Sequence, residues 1–373
     1  MRLKKNMVLA LICLWTCILL VTGCGEGGSH LESGGKPDGK LEGKPESESV
    51  VTITDSAGRK VDVPQPLEKV VVLYTGMAEA VNIIKAQDKV VGVDESVQTH
   101  PYLGMQNKES VGESTQPNYE KIAELRPQAV VMPASIGPIP VQEITEKLEP
   151  AGIRVVLLDI HKPETSEDAL RTLAKIFAKE KEAAEFLKWK AAQIAILDRA
   201  GSLQAEQKTS VFTTTTTNFE LEKWNTAGTG LAAHQTIELA GGINVARELQ
   251  GSVSVSPEWI LEQNPGALVF NDRADNIVGF TVKDFEKAEH FKAKVKAHSV
   301  FSNTAAAQEN RICIIDNSIF SGDKSFLGAL YLAKWLYPDQ FPDVDPDVAL
   351  QEYFERWLGV TFQGLWIYPF ASE

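Results

Sequence analysis

NYEKIAELRPQAVV, residues 118–131, returns 138 positions later as SPEWILEQNPGALV, residues 256–269. In each copy a polar capping residue precedes an amphipathic stretch, a proline ends that stretch, and an apolar run follows. The positions that are identical at this offset are Glu120 and Glu258, Glu124 and Glu262, Pro127 and Pro265, and Ala129 and Ala267. The order predicts a capped helix leading into a buried strand, and its repetition predicts two copies of one lobe.

The rest of the chain alternates short β-branched runs with amphipathic stretches after Pro66. Such alternation is typical of a mainly parallel sheet flanked by helices. The predicted strands are 70–74, 90–94, 129–134, 154–160, 209–215, 267–272 and 311–317. The sequence therefore predicts an α/β fold of two Rossmann-like lobes, one in residues 50–163 and the other in residues 201–373.

Residues 164–200 are predicted to connect the two lobes. Apolar residues recur there at spacings of three and four, as on one face of a helix: Leu170, Leu173, Ile176, Phe177, Ala184, Leu187, Ile194 and Leu197. The spacing fits one long helix of about 30 residues, roughly 45 Å at 1.5 Å per residue. Two surface helices with a break between them remain an alternative.

The first 23 residues have the composition of a secretory signal peptide, with three positive charges and an apolar run too short to span a membrane comfortably. Small residues directly before Cys24 resemble the lipobox of bacterial lipoproteins, and an ordinary secretory signal is the alternative. Residues 24–49 hold almost nothing to bury and are predicted to form a flexible tether. We therefore expect an extracytoplasmic protein that the Cys24 lipid anchors to the cell membrane.

The charge of the chain excludes some partners. The formal net charge is −13, and it becomes −16 without the first 23 residues, which argues against binding to nucleic acid or to an anionic membrane surface. With Cys24 lipidated, only Cys313 remains in the mature chain, so no disulfide framework is expected. Nothing in the sequence indicates oligomerisation, and a monomer is expected.

The chain resembles the substrate-binding lipoproteins of ABC importers for ferric siderophores and cobalamin. The phrases that carry this resemblance are, in order, TDSAGRKVDVPQPLEKVVVL, VGESTQPNYEKIAELRPQAVV, LEPAGIRVVLLD, IELAGGINVA, VSPEWILEQNPGALVF and LAKWLYPDQF. The resemblance implies the class III periplasmic binding protein fold, in which one long helix joins two lobes. It also implies a receptor without enzymatic activity or cofactor that captures an iron chelate, with cobalamin or haem as alternatives.

The same resemblance gives the repeated glutamates a role. In that family a surface glutamate on each lobe docks into arginine pockets of the two permease subunits, and the matching positions here are Glu120 and Glu258. A carboxylate in the first helical turn also interacts favourably with the helix dipole, which is the simpler alternative. Glu124 and Glu262, one turn further on, are the competing pair.

A ligand is expected beyond the carboxyl ends of the strands, where the loops of both lobes meet. The residues predicted to contact it are Tyr74, Ser135, Trp224, Arg273 and Phe320. Aromatic faces suit a large planar or chelated ligand. Arg273 indicates a negatively charged ligand if it faces the cleft, whereas a salt bridge to Asp272 or Asp275 is the alternative.

Other functions fit the sequence less well. A bare metal ion needs clustered histidines, and only His100 and His161 both follow predicted strands, so no metal site is predicted although a two-histidine site stays open. A metal-cluster enzyme would need several cysteines, and a surface ligand sensor without transport is a third class. The sequence leaves two features open. The short glycine motif at 228–230, at a helix start, is weak evidence for an anion site. The aromatic tail 343–373 either covers a lobe or extends the docking face.

Overall fold

The computed structural model describes residues 49–322 and 324–369, so the predicted signal peptide, Cys24 and most of the tether lie outside the described residues. The strands of the first lobe are β1 (Ser49–Thr54), β2 (Lys60–Gln65), β3 (Val70–Val72), β4 (Val90–Val93), β5 (Glu109–Ser110), β6 (Gly112–Glu113), β7 (Gln116–Pro117), β8 (Ala129–Met132) and β9 (Arg154–Leu157). Its helices are α1 (Thr75–Ile83), α2 (Glu95–Gln98), α3 (Tyr119–Leu125) and α4 (Val141–Leu148). Helices α5 (Ser166–Phe177) and α6 (Glu180–Ile196) follow.

The second lobe begins with β10 (Ser210–Thr215). Its other strands are β11 (Asn225–Ala227), β12 (Ile243–Asn244), β13 (Ser252–Ser254), β14 (Ala267–Asp272), β15 (Ile312–Asp316) and β16 (Ile367–Tyr368). Its helices are α7 (Thr216–Glu220), α8 (Ala232–Leu239), α9 (Pro257–Gln263), α10 (Glu286–Ala297), α11 (Ala305–Gln308), α12 (Asn317–Phe320), α13 (Ser325–Leu336) and α14 (Pro346–Glu352). Among the described residues, no helix is long and apolar enough to cross a membrane.

Each lobe contains a five-stranded sheet, and four strands of each sheet follow the same order, β4-β3-β8-β9 in the first and β12-β10-β14-β15 in the second. The first sheet is β5-β4-β3-β8-β9 and is parallel throughout. The second is β12-β10-β14-β15-β16 and is parallel except for its last strand, which runs antiparallel to β15. The prediction of two similar α/β lobes is therefore confirmed.

The repeated phrase forms the same local structure in both lobes. Asn118 caps α3 by accepting the Lys121 N–H at 2.9 Å, and Ser256 caps α9 by accepting the Trp259 N–H at 3.1 Å. Both helices end in a left-handed residue, Arg126 at φ 50° and Asn264 at φ 39°. Since a proline follows each left-handed residue, neither helix can continue, and the chain turns into β8 or β14.

The connector is not the single uninterrupted helix that the spacing predicted. Helix α5 ends at Phe177, Ala178 takes φ 51°, and α6 starts at Glu180. The N–H of Lys179 donates to the Ala174 carbonyl at 2.8 Å, which closes α5 with a left-handed turn that a periodic apolar pattern does not reveal. Helix α6 packs against α1 of the first lobe and against α13 of the second.

One continuous apolar core runs through both lobes. It includes Val70, Val72 and Val131 of the first sheet, and Val269 and Ile315 of the second. The opposite faces of the two sheets carry separate clusters, so both sheets are buried on both sides, as parallel sheets require. The lobes thus share a packed interior in addition to their connecting helices.

The C-terminal extension completes this shared core. Tyr353, Phe354, Trp357 and Trp366 are all buried, and their rings contact aromatic residues of other segments, namely Tyr102, Phe186, Trp189 and Phe280. Strand β16 then adds a fifth strand to the second sheet. The described part of the aromatic tail therefore covers the junction of the two lobes.

Candidate functional site

A cavity of about 720 Å³ lies between the lobes. Tyr74, Ile136 and His161 line it from the first lobe. The second lobe supplies Thr213, Thr214, Thr215, Thr217, Asn218, Asn225, Thr226, Ala227, Leu231, Ala232, Ala233, Ser252, Asn271, Arg273, Asn317, Ser321 and Gly322. The carboxyl ends of β10 and β14 open onto it, which is the place that the strand-end rule predicts.

The wall is rich in hydroxyl and amide groups and poor in negative charge. Threonine, asparagine and serine side chains make up most of the lining, and no aspartate or glutamate belongs to it among the described residues. Hydroxyls and amides both donate and accept hydrogen bonds, whereas carboxylates only accept. The described part of the wall is therefore suited to a polar ligand and carries no group that would repel an anion.

Arg273 lies on the cavity wall directly after β14 and is exposed. No carboxylate among the described residues forms a salt bridge with its guanidinium. Asp272 instead accepts the N–H groups of Ile277 at 2.6 Å and Val278 at 3.0 Å. Asp275 accepts the hydroxyl of Thr216 at 2.6 Å. Because both candidate partners are engaged elsewhere, the positive charge of Arg273 is available to a ligand.

Two buried polar atoms in the same wall lack partners. Asn271 is 6% exposed, and its Nδ2 donates to Asn317 Oδ1 and Ser321 Oγ, each at 3.0 Å. Its Oδ1 and the hydroxyl of Thr226, a residue that is 3% exposed, have no hydrogen-bond partner among the described residues. A buried polar atom without a partner destabilises the protein unless water or a ligand satisfies it.

Tyr74 also lines the cavity, at the start of α1. Its backbone has φ 96°, outside the regions that residues with a side chain normally adopt, and its N–H donates to Asp94 Oδ2 at 2.5 Å. The Tyr74 ring stands edge-on to His161, with ring centroids 6.1 Å apart. Strained backbone of this kind is concentrated at functional sites.

Ser135 lies beside the cavity in a polar network rather than on the wall itself. Its hydroxyl donates to Asp159 Oδ2 at 2.9 Å and accepts from Lys162 Nζ at 2.6 Å. Burial raises the pKa of Asp159, but the hydrogen bonds from Lys162, Ser135 and the Ala134 N–H outweigh burial and lower the pKa below its usual value. The charged Asp159 thus holds the loop that carries Ile136 onto the wall.

The structure does not bring Trp224 and Phe320 to the cavity, so both predictions are corrected. Trp224 packs beneath the wall against Phe219 and Phe301, and it is 8% exposed. Phe320 is fully buried in the shared core, while its neighbour Ser321 lines the cavity. Both residues lie in the segments that follow β10 and β15, but that position did not determine which way the side chain points.

His100 and His161, the two candidates for a two-histidine site, lie in different surroundings. His161 lines the cavity, whereas His100 is not part of the lining and packs edge-on to Tyr102, with ring centroids 4.4 Å apart. Within the described ranges, no group of three or more histidine, cysteine or acidic residues is placed to hold a metal ion. The geometry therefore brings only one of these histidines to the ligand cavity.

Glu120 and Glu258 are exposed, and neither belongs to the cavity lining. Each lies in the first turn of its helix. A hydrogen bond to its own backbone N–H and one from Ser256 lower the pKa of Glu258, so this carboxylate is charged at neutral pH. The two glutamates thus occupy equivalent and accessible positions on the two lobes.

Two α/β lobes around one polar cavity define the chain as a two-lobed ligand-binding protein. The chain belongs to the periplasmic binding protein family, whose model matches residues 70–319. This confirms the family and the fold that the sequence predicted.

Relatives of known sequence and structure cover most of the chain. It is 24% identical to the molybdate-binding protein MolA of Haemophilus influenzae over 83% of this chain and 92% of that protein. It is 25% identical to the uncharacterized ABC transporter substrate-binding lipoprotein YvrC of Bacillus subtilis, over 88% and 98%. The crystal structure of the TroA-like protein FepB of Veillonella parvula superposes with a TM-score of 0.72 at 22% identity, over 85% and 99% of the two chains.

Proposed function

We propose that the protein is the substrate-binding lipoprotein of an ABC importer and that it captures an anionic iron chelate, a ferric siderophore, for delivery to the permease. The observation that carries this proposal is Arg273, which faces a cavity without a carboxylate partner among the described residues. A cavity of about 720 Å³ falls within the range of small-molecule sites. The family membership and the names of relatives such as YvrC support the transport role.

Cobalamin and haem are the alternatives within the same importer class. Haem requires a largely apolar slot and an axial ligand, whereas hydroxyl and amide groups dominate this wall and His161 and Tyr74 are the candidate ligands. Cobalamin is large and carries amide groups that the asparagines could bind. The charge of Arg273, which no described carboxylate neutralises, favours an anionic chelate over cobalamin. Haem carries anionic propionates, so the polar wall and not Arg273 argues against it.

A free oxyanion is a second candidate, and the hydroxyl-rich wall favours it. The relative MolA is named for molybdate, and threonine, serine and asparagine donors bind such oxyanions without needing a metal ligand. The size of the cavity argues for the larger chelate, because an oxyanion would fill a small part of the space.

Isothermal titration of the mature domain tests the ligand class. The panel contains ferric catecholate, ferric hydroxamate and ferric citrate complexes, together with cobalamin, haemin and molybdate. Arg273→Gln is expected to weaken binding of the anionic chelate about 10- to 100-fold, since it removes a charge-assisted hydrogen bond. Arg247→Gln, outside the cavity lining, is the matched control. Equal affinity in both variants would contradict an anionic ligand at Arg273.

Docking to the permease dimer through Glu120 and Glu258 is the second part of the proposal. A double charge reversal, Glu120→Lys with Glu258→Lys, is expected to abolish ligand uptake in cells while leaving titrated affinity unchanged. The same reversal at Glu124 and Glu262, one turn further along each helix, is the control and should leave uptake intact. Unchanged uptake in the first variant would contradict docking through Glu120 and Glu258.

Attachment through a lipid on Cys24 completes the proposed cycle, since it keeps the receptor beside its permease. Metabolic labelling with a radioactive fatty acid should mark the wild-type protein and not Cys24→Ser. Label in both proteins would contradict the anchor.

A further inference from the structure

Helix α8 begins at the cavity without a capping side chain. Leu231, Ala232 and Ala233 at its start all line the cavity. The first hydrogen bond into the helix is that of the Gln235 N–H to the Leu231 carbonyl, at 3.2 Å. The backbone N–H groups of Ala232 and Ala233 have no acceptor among the described residues. Uncapped N–H groups at a helix start, together with the helix dipole, attract negative charge.

The residues before α8 account for the missing cap. Gly230 takes φ 84°, and Leu231 is extended at φ −108° and ψ 145° in the capping position. Leucine has no side-chain acceptor and cannot cap α8. At the starts of α3 and α9, by contrast, the side chains of Asn118 and Ser256 each accept a backbone N–H. The start of α8 is therefore left for a group from outside the chain.

Independent observations on the wall of the same cavity also indicate a ligand. The hydroxyl of Thr226 and Oδ1 of Asn271 are buried and unpartnered among the described residues. Arg273 adds a positive charge that no described carboxylate neutralises. A hydroxyl, backbone N–H groups and a guanidinium can all donate to one anionic group, and Asn271 Oδ1 can accept from a hydroxyl of the ligand or from water.

We propose that the start of α8, with Thr226 and Arg273, forms an anion subsite that binds a carboxylate or oxyanion group of the ligand. The proposal rests on the proposed function, because it names the part of the cavity that recognises the negative charge. The group can belong to a free oxyanion or to a carboxylate of a metal chelate. Molybdate and ferric citrate serve as the two probes that distinguish these sources.

Ala232→Pro tests the helix start directly. Ala232 is the first residue of α8, where proline is tolerated and removes a single N–H, and the extended backbone of Leu231 suits a residue before proline. Ala232→Val has comparable bulk and keeps the N–H, so it is the matched control. We expect Ala232→Pro to lose about tenfold in affinity for the anionic probe, as for a hydrogen bond to a charged group. Affinity for a neutral ferric hydroxamate should fall no further in Ala232→Pro than in Ala232→Val.

The outcomes separate this proposal from the proposed function. Equal affinities of Ala232→Pro and Ala232→Val for the anionic probe overturn the subsite and leave the importer receptor standing. A wild-type protein that binds no probe of the panel overturns both. Loss of molybdate binding alone assigns the subsite to free oxyanions, and loss of ferric citrate binding alone assigns it to the carboxylate of a chelate. If thermal unfolding shows that Ala232→Pro does not fold, Thr226→Val replaces it, with the same expected loss and the same overturning result.

Discussion

Glu79 on α1 and Lys324 at the start of α13 form a buried ion pair that ties the two lobes together. Lys324 Nζ donates to Oε1 of Glu79 at 2.7 Å and to Oε2 at 2.8 Å, and both side chains are almost inaccessible to solvent. The hydroxyl of Tyr353 also donates to Oε2, at 3.3 Å, and the lysine lies 5.6 Å from the centre of the Tyr102 ring. The pair thus joins both lobes and the C-terminal extension.

Lys324→Met is expected to lower the free energy of unfolding by about 3–5 kcal/mol, because it leaves the Glu79 carboxylate buried without its partner. Methionine at both positions should recover most of this loss, since no charge is then buried. Urea denaturation followed by circular dichroism measures the difference.

Lys294→Met is the control for this ion pair. Lys294 forms a salt bridge with Glu220 at 3.0 Å in which both side chains are nearly half exposed, and its loss should cost less than about 1 kcal/mol. A Lys324→Met variant no less stable than this control would mean that the interlobe pair does not hold the lobes together.

Thr226→Val is expected to stabilise the empty protein while weakening ligand binding. The unpartnered, buried Thr226 hydroxyl is costly without a ligand, so its replacement by a methyl group should raise the free energy of unfolding by about 1 kcal/mol. In Thr214→Val, the control, the lost hydroxyl donates to the Asn225 carbonyl at 2.7 Å, and stability should fall. Thermal unfolding with and without ligand distinguishes the two variants, and a fall in both would show that Thr226 has a structural partner.

Ala178→Gly is expected to raise stability by about 0.5–1 kcal/mol. Ala178 occupies the left-handed region at φ 51° between α5 and α6, where glycine has no steric cost. Ala192→Gly, at an exposed position inside α6, should instead lower stability by about 1 kcal/mol. Denaturation midpoints measure both changes, and a loss of similar size in the two variants would contradict a left-handed Ala178.

The sequence predicted those elements whose signals are local. The α3 and α9 phrases carry a cap, a periodic face and a proline stop within a dozen residues, and each forms the predicted capped helix leading into a buried strand. The break at Ala178 has no such signal, because an alanine there is equally compatible with a continuing helix. Periodicity alone could not distinguish two aligned helices from one.

The cavity was predicted by position but only in part by residue. The strand-end rule placed Tyr74 and Arg273 on the wall, and both line it. Trp224 lies between the five-residue helix α7 and strand β11, which pairs with β13. The direction of its side chain therefore depends on tertiary packing that no local pattern encodes. The unpartnered Thr226 was missed, because nothing local in the phrase WNTAG, residues 224–228, distinguishes a ligand contact from an ordinary strand threonine.

Stability should depend on pH through Asp316, which caps α12 and accepts the Ser318 N–H at 2.8 Å. Burial, with a contribution from nearby Asp272, raises the pKa of Asp316 above its ordinary 3.8, although Ser318 and Lys324 oppose the shift. A carboxyl group whose pKa is higher in the folded state stabilises the protein fully below 3.8. That contribution is lost as the pH rises through the raised value, because the folded state must then release a proton at a cost.

Asp316→Asn keeps a capping oxygen but cannot ionise. The variant should therefore match the wild type near pH 3 and become the more stable protein as the pH rises, by about 1.4 kcal/mol for each unit of the shift. Urea unfolding from pH 3 to pH 7 measures this difference. Asp343→Asn should behave in the opposite way, since a hydrogen bond from Arg199 lowers the pKa of Asp343 to about 2 and the wild type gains stability above that pH. The contradicting outcome is a difference in the free energy of unfolding between Asp316→Asn and the wild type that stays constant from pH 3 to pH 7. Asp316 would then ionise as easily in the folded chain as in the unfolded one, and its burial beside Asp272 would have no electrostatic consequence.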